Sequence, residues 1–271
     1  MITYVRKLLT FSADTLLGFI QQSISSSQII VDKVQFRNDL TESTCMLVME
    51  GLDFTFSHRS FQEYFTAYFL SRVKVDEIER IVPKLVEING VFDNVLKMLS
   101  EMNSEKFEEA WTLPALNKMC DAVREIDAKE TPIRYCEALF GKIAIYIADD
   151  KQIQVISSGP DVGQIRLALY SIYDQFDKIH SLLKKENHND ALIIQRIRSG
   201  ELLAHDPRFQ KIRSKQTERE KIHLSTEDEK WFRTTRFGRF VAIEAELLPR
   251  FRDEVRERVA ARKKGLASLF P

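Results

Sequence analysis

Three stretches of the chain carry side chains whose types and spacing could do chemistry. His58 and Arg59 sit together in Phe56-Ser-His58-Arg59-Ser-Phe61-Gln62-Glu63-Tyr64-Phe65. An imidazole there can donate or accept a hydrogen bond and respond to a nearby charge. Arg233, Arg236 and Arg239 recur every three residues among the aromatics of Trp231–Phe240. That spacing could present one cationic ridge to phosphates of a nucleic acid or to another partner. Ile143-Ala-Ile-Tyr-Ile-Ala-Asp149-Asp150 has the apolar run and paired acids of a magnesium-binding strand end, but no Gly-x-x-x-x-Gly-Lys-Ser/Thr loop accompanies it. A helix running out into the two acids, or a hairpin turning into Ile153, accounts for the same residues. His180, His188, His205 and His223 lack metal-ligand spacing, Cys45, Cys120 and Cys136 lack a His–Asn arrangement, and no serine sits in a Gly-x-Ser-x-Gly elbow. The expectation is therefore a chain that is not an enzyme and holds neither metal nor cofactor of its own.

The elements that position His58 are legible in the change of period around it. Phe54 and Phe56 alternate with Asp53, Thr55 and Ser57, as in a strand with one buried face. From Phe61 the large groups fall at Phe61, Phe65, Tyr68 and Phe69, which predicts a helix with that aromatic face in a local core. Ser57 or Ser60 is the expected cap, Ser60 with Glu63 having the capping-box form. A histidine that itself caps the helix is the structural alternative to a ligand-binding one. Arg59, Gln62 and Glu63 are expected to tie the helix start to neighbouring chain, and the remaining Asp and Glu residues to lie on solvated helix faces.

Phe56-Ser-His58-Arg59-Ser-Phe61-Gln62-Glu63-Tyr64-Phe65-Thr-Ala67 resembles the F-x-H-R-S-F-Q-E-Y-F-x-A segment of NACHT proteins, the STAND-type signalling ATPases that include NOD-like receptors and bacterial antiphage relatives. In that family the segment closes the winged-helix domain behind the nucleotide-binding core, and the preceding helical run and hairpin-like Cys45–Phe54 extend the similarity over about the first seventy residues. The resemblance implies that His58 reaches the terminal phosphate of ADP bound on an upstream NACHT domain and helps hold the protein closed. It implies, too, a NACHT ATPase domain as partner in cis or in trans, a phage-derived or other protein ligand, oligomerisation on activation, and a cytoplasmic role in bacterial antiphage defence. The family's phosphate loop and Walker B acids lie upstream of the winged helix, whereas only Met1–Phe11 precede it here, so the expectation is a truncated or split product, or one working beside a separate ATPase chain.

Composition agrees with a folded, mainly helical protein: 44% hydrophobic and 30% charged residues, with nine Gly and seven Pro in 271 residues. Net charge is zero, yet residues 1–150 hold 23 acids against 16 Lys and Arg, seven in excess, and residues 151–271 hold the compensating seven bases. That asymmetry points the C-terminal part toward something acidic, an internal face or a partner. Three scattered cysteines suggest reduced thiols, and no secretory leader or membrane span is visible.

In order, residues 3–26 read as helix with a short break, Ile29–Phe36 as helix or strand, Leu40–Cys45 as helix, and Cys45–Glu50 with Leu52–Phe56 as a hairpin about Gly51. Helices follow from Val73 to about Glu130, and one from Thr131 through Leu139 toward Ile147. Ser157–Gly163 is the clearest loop, before a long helix from Gln164 to Lys185. Trp231–Ala245 and Leu247–Leu266 form two more, with Leu248, Phe251, Val255 and Val259 in heptad-like spacing. The predicted class is mainly α: a winged-helix-like module over 1–70 with a small β-hairpin, a helical domain over 71–158, and a C-terminal helical region over 159–271 for sensing or partner binding. A helical nucleic-acid-binding or adaptor protein centred on residues 231–264 is the competing reading.

Overall fold

A computed structural model of the chain describes residues 4, 7–27, 29–89, 94–147, 153–158, 161–173 and 222–269. The chain is mainly helical, and its contacts divide it into two compact units, Met1–Phe107 and Glu108–Pro271. The boundary falls inside the 71–158 segment that the sequence suggests as one helical domain.

In the first unit, strand β1 (Thr10–Ser12) leads into helix α1 (Ala13–Ser27), so a paired strand stands at the short break expected in the helical run over residues 3–26. Phe11 explains the strand, because it points inward from β1 and pairs across to Phe54. Helix α2 (Lys33–Asn38) starts where the Asp32 carboxylate accepts from the backbone N–H groups of Val34 and Gln35, both at 2.9 Å. It widens into a π-helical turn over Asp39–Ser43. Strands β2 (Leu47–Glu50) and β3 (Asp53–Phe56) form the hairpin. Its two-residue loop begins with Gly51 at φ +68°, the positive φ that such a tight turn requires. The antiparallel sheet runs β1-β3-β2, with Phe11 opposite Phe54 and Leu47 opposite Phe56. Strand, helix, helix, hairpin around a three-stranded sheet is a winged-helix-like order. Phe11, Leu16, Ile20, Leu47 and Phe54 make its core. Helix α3 (Arg59–Arg72) follows the hairpin directly, then α4 (Val75–Asn89), α5 (Asn94–Met102) and the single turn α6 (Ser104–Phe107). Ile78, Val82, Leu85 and Val86 recur at helical spacing on α4 and are buried.

The second unit opens with a π-helical turn, Glu108–Thr112, that passes into α7 (Leu113–Ala122), where Pro114 occupies the first turn and needs no N–H partner. Helix α8 (Pro132–Phe140) stops at Phe140, short of the expected run toward Ile147. Instead β4 (Lys142–Ile147) pairs antiparallel with β5 (Ile153–Ser158), and β6 (Ile222–His223) adds on the other side, giving a second sheet of order β5-β4-β6. The β-branched alternation in Ile143-Ala-Ile-Tyr-Ile is a strand period, and it overrides the helical one that begins at Tyr135. Ser157 and Ser158 accordingly belong to β5, not to a loop, and α9 begins at Asp161 (Asp161–Ile172) with Gly163 inside it. The helix ends at Ile172; Asp149, Asp150, residues 174–185 of the expected Gln164–Lys185 helix, and His180, His188 and His205 lie outside the described residues.

A short helix α10 (Glu229–Phe232) precedes α11 (Arg236–Leu269), which runs for 34 residues straight across Pro249 where two helices are predicted. Leu248, Phe251, Val255 and Val259 form its buried stripe. The α10–α11 corner is too tight for any side chain at Gly238. A Cβ built there would lie 2.4 Å from the Phe232 carbonyl oxygen and 2.8 Å from the Arg233 Cα.

Acids and bases of this unit cancel one another across long sequence distances. Glu108, buried, accepts from Arg258 Nη2 at 2.7 Å and Arg262 Nη1 at 2.8 Å, and Glu109 meets Lys263 at 2.8 Å. Deeper, Arg166 of α9 makes a forked contact with Glu244 of α11 at 2.6 to 3.0 Å. The Phe140, Tyr170 and Phe240 rings lie 4.2 to 5.1 Å from its guanidinium carbon. Burial works against the Arg166 charge, but Glu244 outweighs it and holds the guanidinium pKa above its ordinary value. The charge asymmetry of the sequence thus includes pairing against an internal face, and the picture of acids as solvated helix-face residues fails for Glu108, Asp228 and Glu244, all buried.

Three substitutions and one double variant test this packing. Gly238→Ala should destabilise the protein by about 2 kcal/mol or more in urea denaturation, because backbone cannot move aside. Gly18→Ala, in open space on α1, should stabilise by roughly 0.5–1 kcal/mol. Arg166→Met should cost about 3–5 kcal/mol by stranding the Glu244 carboxylate, and the double variant Arg166→Met/Glu244→Leu should recover most of that loss.

Candidate functional site

The joint between β3 and α3 is built from the motif residues. His58 takes extended backbone angles (φ −148°, ψ 138°) and is itself the helix N-cap. Its Nδ1 accepts the Ser60 backbone N–H at 3.1 Å, with the Ser60 hydroxyl 2.6 Å from the same nitrogen. The expected Ser57 cap and the Ser60–Glu63 capping box are therefore replaced by an imidazole cap. One consequence is chemical: with Nδ1 serving as acceptor, the neutral ring carries its proton on Nε2. Among the described residues no other hydrogen bond involves this exposed ring.

Behind His58 the motif is anchored by polar contacts. Glu63 is 4% exposed and bonded on both sides, to Arg59 Nε at 3.0 Å and to Asn94 Nδ2 of α5 at 3.0 Å. Gln62 donates to the Leu8 carbonyl at 3.1 Å, across 54 residues of sequence. Thr66 donates to the Gln62 carbonyl at 2.7 Å. With Ala67 and Leu70, these make the buried face of α3. Phe56, half-buried, packs edge-on against Phe11 at 6.0 Å.

The aromatic face of α3 lies outward, contrary to expectation. Phe61, Tyr64, Phe65, Tyr68 and Phe69 keep 37 to 45% of their surface exposed. The apolar periodicity is genuinely helical, but periodicity marks a face without saying what covers it. The signal that separates the two faces is the run of small or hydrogen-bonding residues at Gln62, Glu63, Thr66 and Ala67, which permits close approach of α5.

The second candidate, Arg233, Arg236 and Arg239, is not one ridge on one helix. Arg233 ends α10, and its Nη1 is held by Glu130 at 2.5 Å, while Arg236 and Arg239 begin α11 half-buried. The surrounding aromatics are structural: Trp231 Nε1 donates to the buried Asp228 carboxylate at 3.1 Å, and Phe237 stacks on Phe240 at 5.8 Å. Beside them the Glu229 carboxylate receives the Ile133 and Arg134 backbone N–H groups at 2.9 and 3.0 Å and so caps α8 from 96 residues away. No feature of the local sequence announces that cap.

Cys120 and Cys136 are buried, and burial pushes both thiols up, away from the reactive thiolate. Cys45 is exposed. Among the described residues no three His, Cys, Asp or Glu side chains gather as metal ligands, and no helix is long and apolar enough to cross a membrane. The chain matches no family model, no curated protein and no solved structure.

His58→Ala should lower stability by about 1 kcal/mol through loss of the cap, whereas His58→Asp or His58→Asn should leave the melting temperature nearly unchanged, because either side chain can take the Ser60 N–H. Circular dichroism melts of the three variants check this.

Proposed function

We propose that the chain is a non-catalytic regulatory module of the NACHT STAND type, relaying nucleotide state and ligand sensing between a separate or upstream ATPase domain and its outputs. The observation that carries the reading is the His58 cap. Tying Nδ1 to α3 leaves Nε2–H as a donor at the exposed start of the helix, the group that a terminal phosphate on another domain would accept from. Positioning it costs nothing further on binding, since the cap already fixes the ring. The winged-helix-like order in front of the motif supports the same reading.

In this role ADP or ATP is carried by the partner domain, a protein ligand triggers release, and oligomerisation follows. The setting the resemblance implies is bacterial antiphage defence in the cytoplasm. The alternative, a nucleic-acid-binding or adaptor protein using residues 231–264, draws less support. Arg233, Arg258 and Arg262 are engaged with acids of the same unit, and a phosphate backbone would have to displace those partners.

The test pairs the full chain with the NACHT-type ATPase encoded beside its reading frame, expressed separately and loaded with ADP or ATP. Association is expected with the ADP form, weakened about tenfold or more by His58→Asn while stability is kept. Absence of such a neighbouring frame, equal binding in both nucleotide states, or ATP hydrolysis by the chain alone would overturn the reading.

A further inference from the structure

The outward face of α3 is apolar where a free surface helix is ordinarily polar. At about 100° per residue, Phe61, Tyr64, Phe65, Tyr68 and Phe69 fall within an arc of about 140°, opposite the buried Gln62, Glu63, Thr66, Ala67 and Leu70. The rings are ordered against each other: Tyr64 lies edge-on to Phe65 at 5.4 Å and nearly parallel to Tyr68 at 6.3 Å. At the far end Arg72 sits 5.5 Å from the Tyr68 ring centre. No carboxylate shares the face, because the single acid of α3, Glu63, is turned inward and paired.

We propose that this face is a docking surface for an amphipathic helix of a partner protein. Its apolar side would lie along the five rings, with an acidic residue placed to meet Arg72. Area and charge select this occupant. Five rings of ~200 Å² at about 40% exposure offer on the order of 400 Å², enough for two turns of helix. That is below the roughly 800 Å² per partner of a standard stable interface between folded chains, and suits a short helix held in a transient contact. Antiparallel pairing of two α3 helices would also bring each Arg72 to the positive N-terminal end of the other helix. A nucleic acid or an anionic membrane would require several cations, and this face provides one. An apolar helix with a flanking carboxylate is served by both features at once, packing side by side on the exposed face. The inference rests on burial and charge alone, and stands whether or not the NACHT resemblance holds.

The experiment uses the full chain and a synthetic 18-residue amphipathic helix with Leu at i, i+3, i+4, i+7 and flanking Glu, labelled for fluorescence anisotropy, against an otherwise identical peptide with flanking Lys. The Glu peptide should bind at least tenfold tighter. Arg72→Ala should abolish that preference, and Phe65→Ser/Tyr68→Ser should abolish binding while leaving the melting temperature within a few degrees. Equal affinity for the two peptides, or no binding of either, would overturn the proposal. So would collapse of the melting temperature in Phe65→Ser/Tyr68→Ser, which would make the rings core. A dimer in sedimentation that the double variant dissolves would assign the face to a second copy instead. Binding of oligo-dT or phosphatidylserine vesicles lost in the same variant would assign it to nucleic acid or lipid.

Discussion

A carboxylate withdrawn from water must be met by hydrogen-bond donors, and that requirement organises both units. Glu63, Glu108, Asp228 and Glu244 are each buried, and each is answered by groups brought from another part of the chain or from the next turn. Glu63 joins α3 to α5 through Asn94, Glu244 joins α11 to α9 through Arg166, and Glu108 joins the start of the second unit to α11 through Arg258 and Arg262. Glu229, partly exposed, caps α8 in the same manner. Hydrophobic burial supplies most of the driving force for collapse. The buried acids add specificity, because an apolar face tolerates sliding and a forked Arg–Glu contact does not.

The same constraint explains what could be read from the sequence. The hairpin about Gly51, the strand-to-helix handover at His58 and the Leu248–Val259 stripe are local patterns, and each appears where the pattern places it. Of the second sheet, the β4–β5 hairpin was one of the alternatives open at Ile143–Asp150, whereas β6 was hidden because it is two residues long and pairs with β4 from some eighty positions away. Glu108 and Glu244 look like any other helix acid, since burial is decided by Arg258 and Arg166, distant in sequence. The inversion of α3 has the same origin. Its aromatic spacing correctly marks a helix face, while the polar residues opposite become an interior only once Leu8 and Asn94 arrive to bond them.

At the candidate site, the motif Phe56–Ala67 was legible as a unit, and so was its position at an element boundary. The tautomer of His58 was not, because it depends on the Ser60 N–H pointing back at Nδ1. That contact makes capping and ligand-directed roles compatible. One ring nitrogen serves the fold and the other remains available for chemistry, so the two readings of His58 cease to compete. For the arginine-rich segment the structure draws a finer distinction than composition allowed. Arg233, Arg258 and Arg262 answer Glu130 and Glu108, acids of the same unit that belong to the acid-rich first half of the sequence.

Helix α11 shows what such pairing does to motion. Glu244, Arg258 and Arg262 recur at intervals of fourteen and four residues, which on a helix of 3.6 residues per turn places all three on a single narrow line. Their partners, Arg166 and Glu108, stand about 20 Å apart along that line by helix rise. A small roll or slide of α11 would strand both buried charges together, and only a shift that found new partners for both could be held. The helix is therefore keyed at two points along its length, so that its rotation and its axial position are set together.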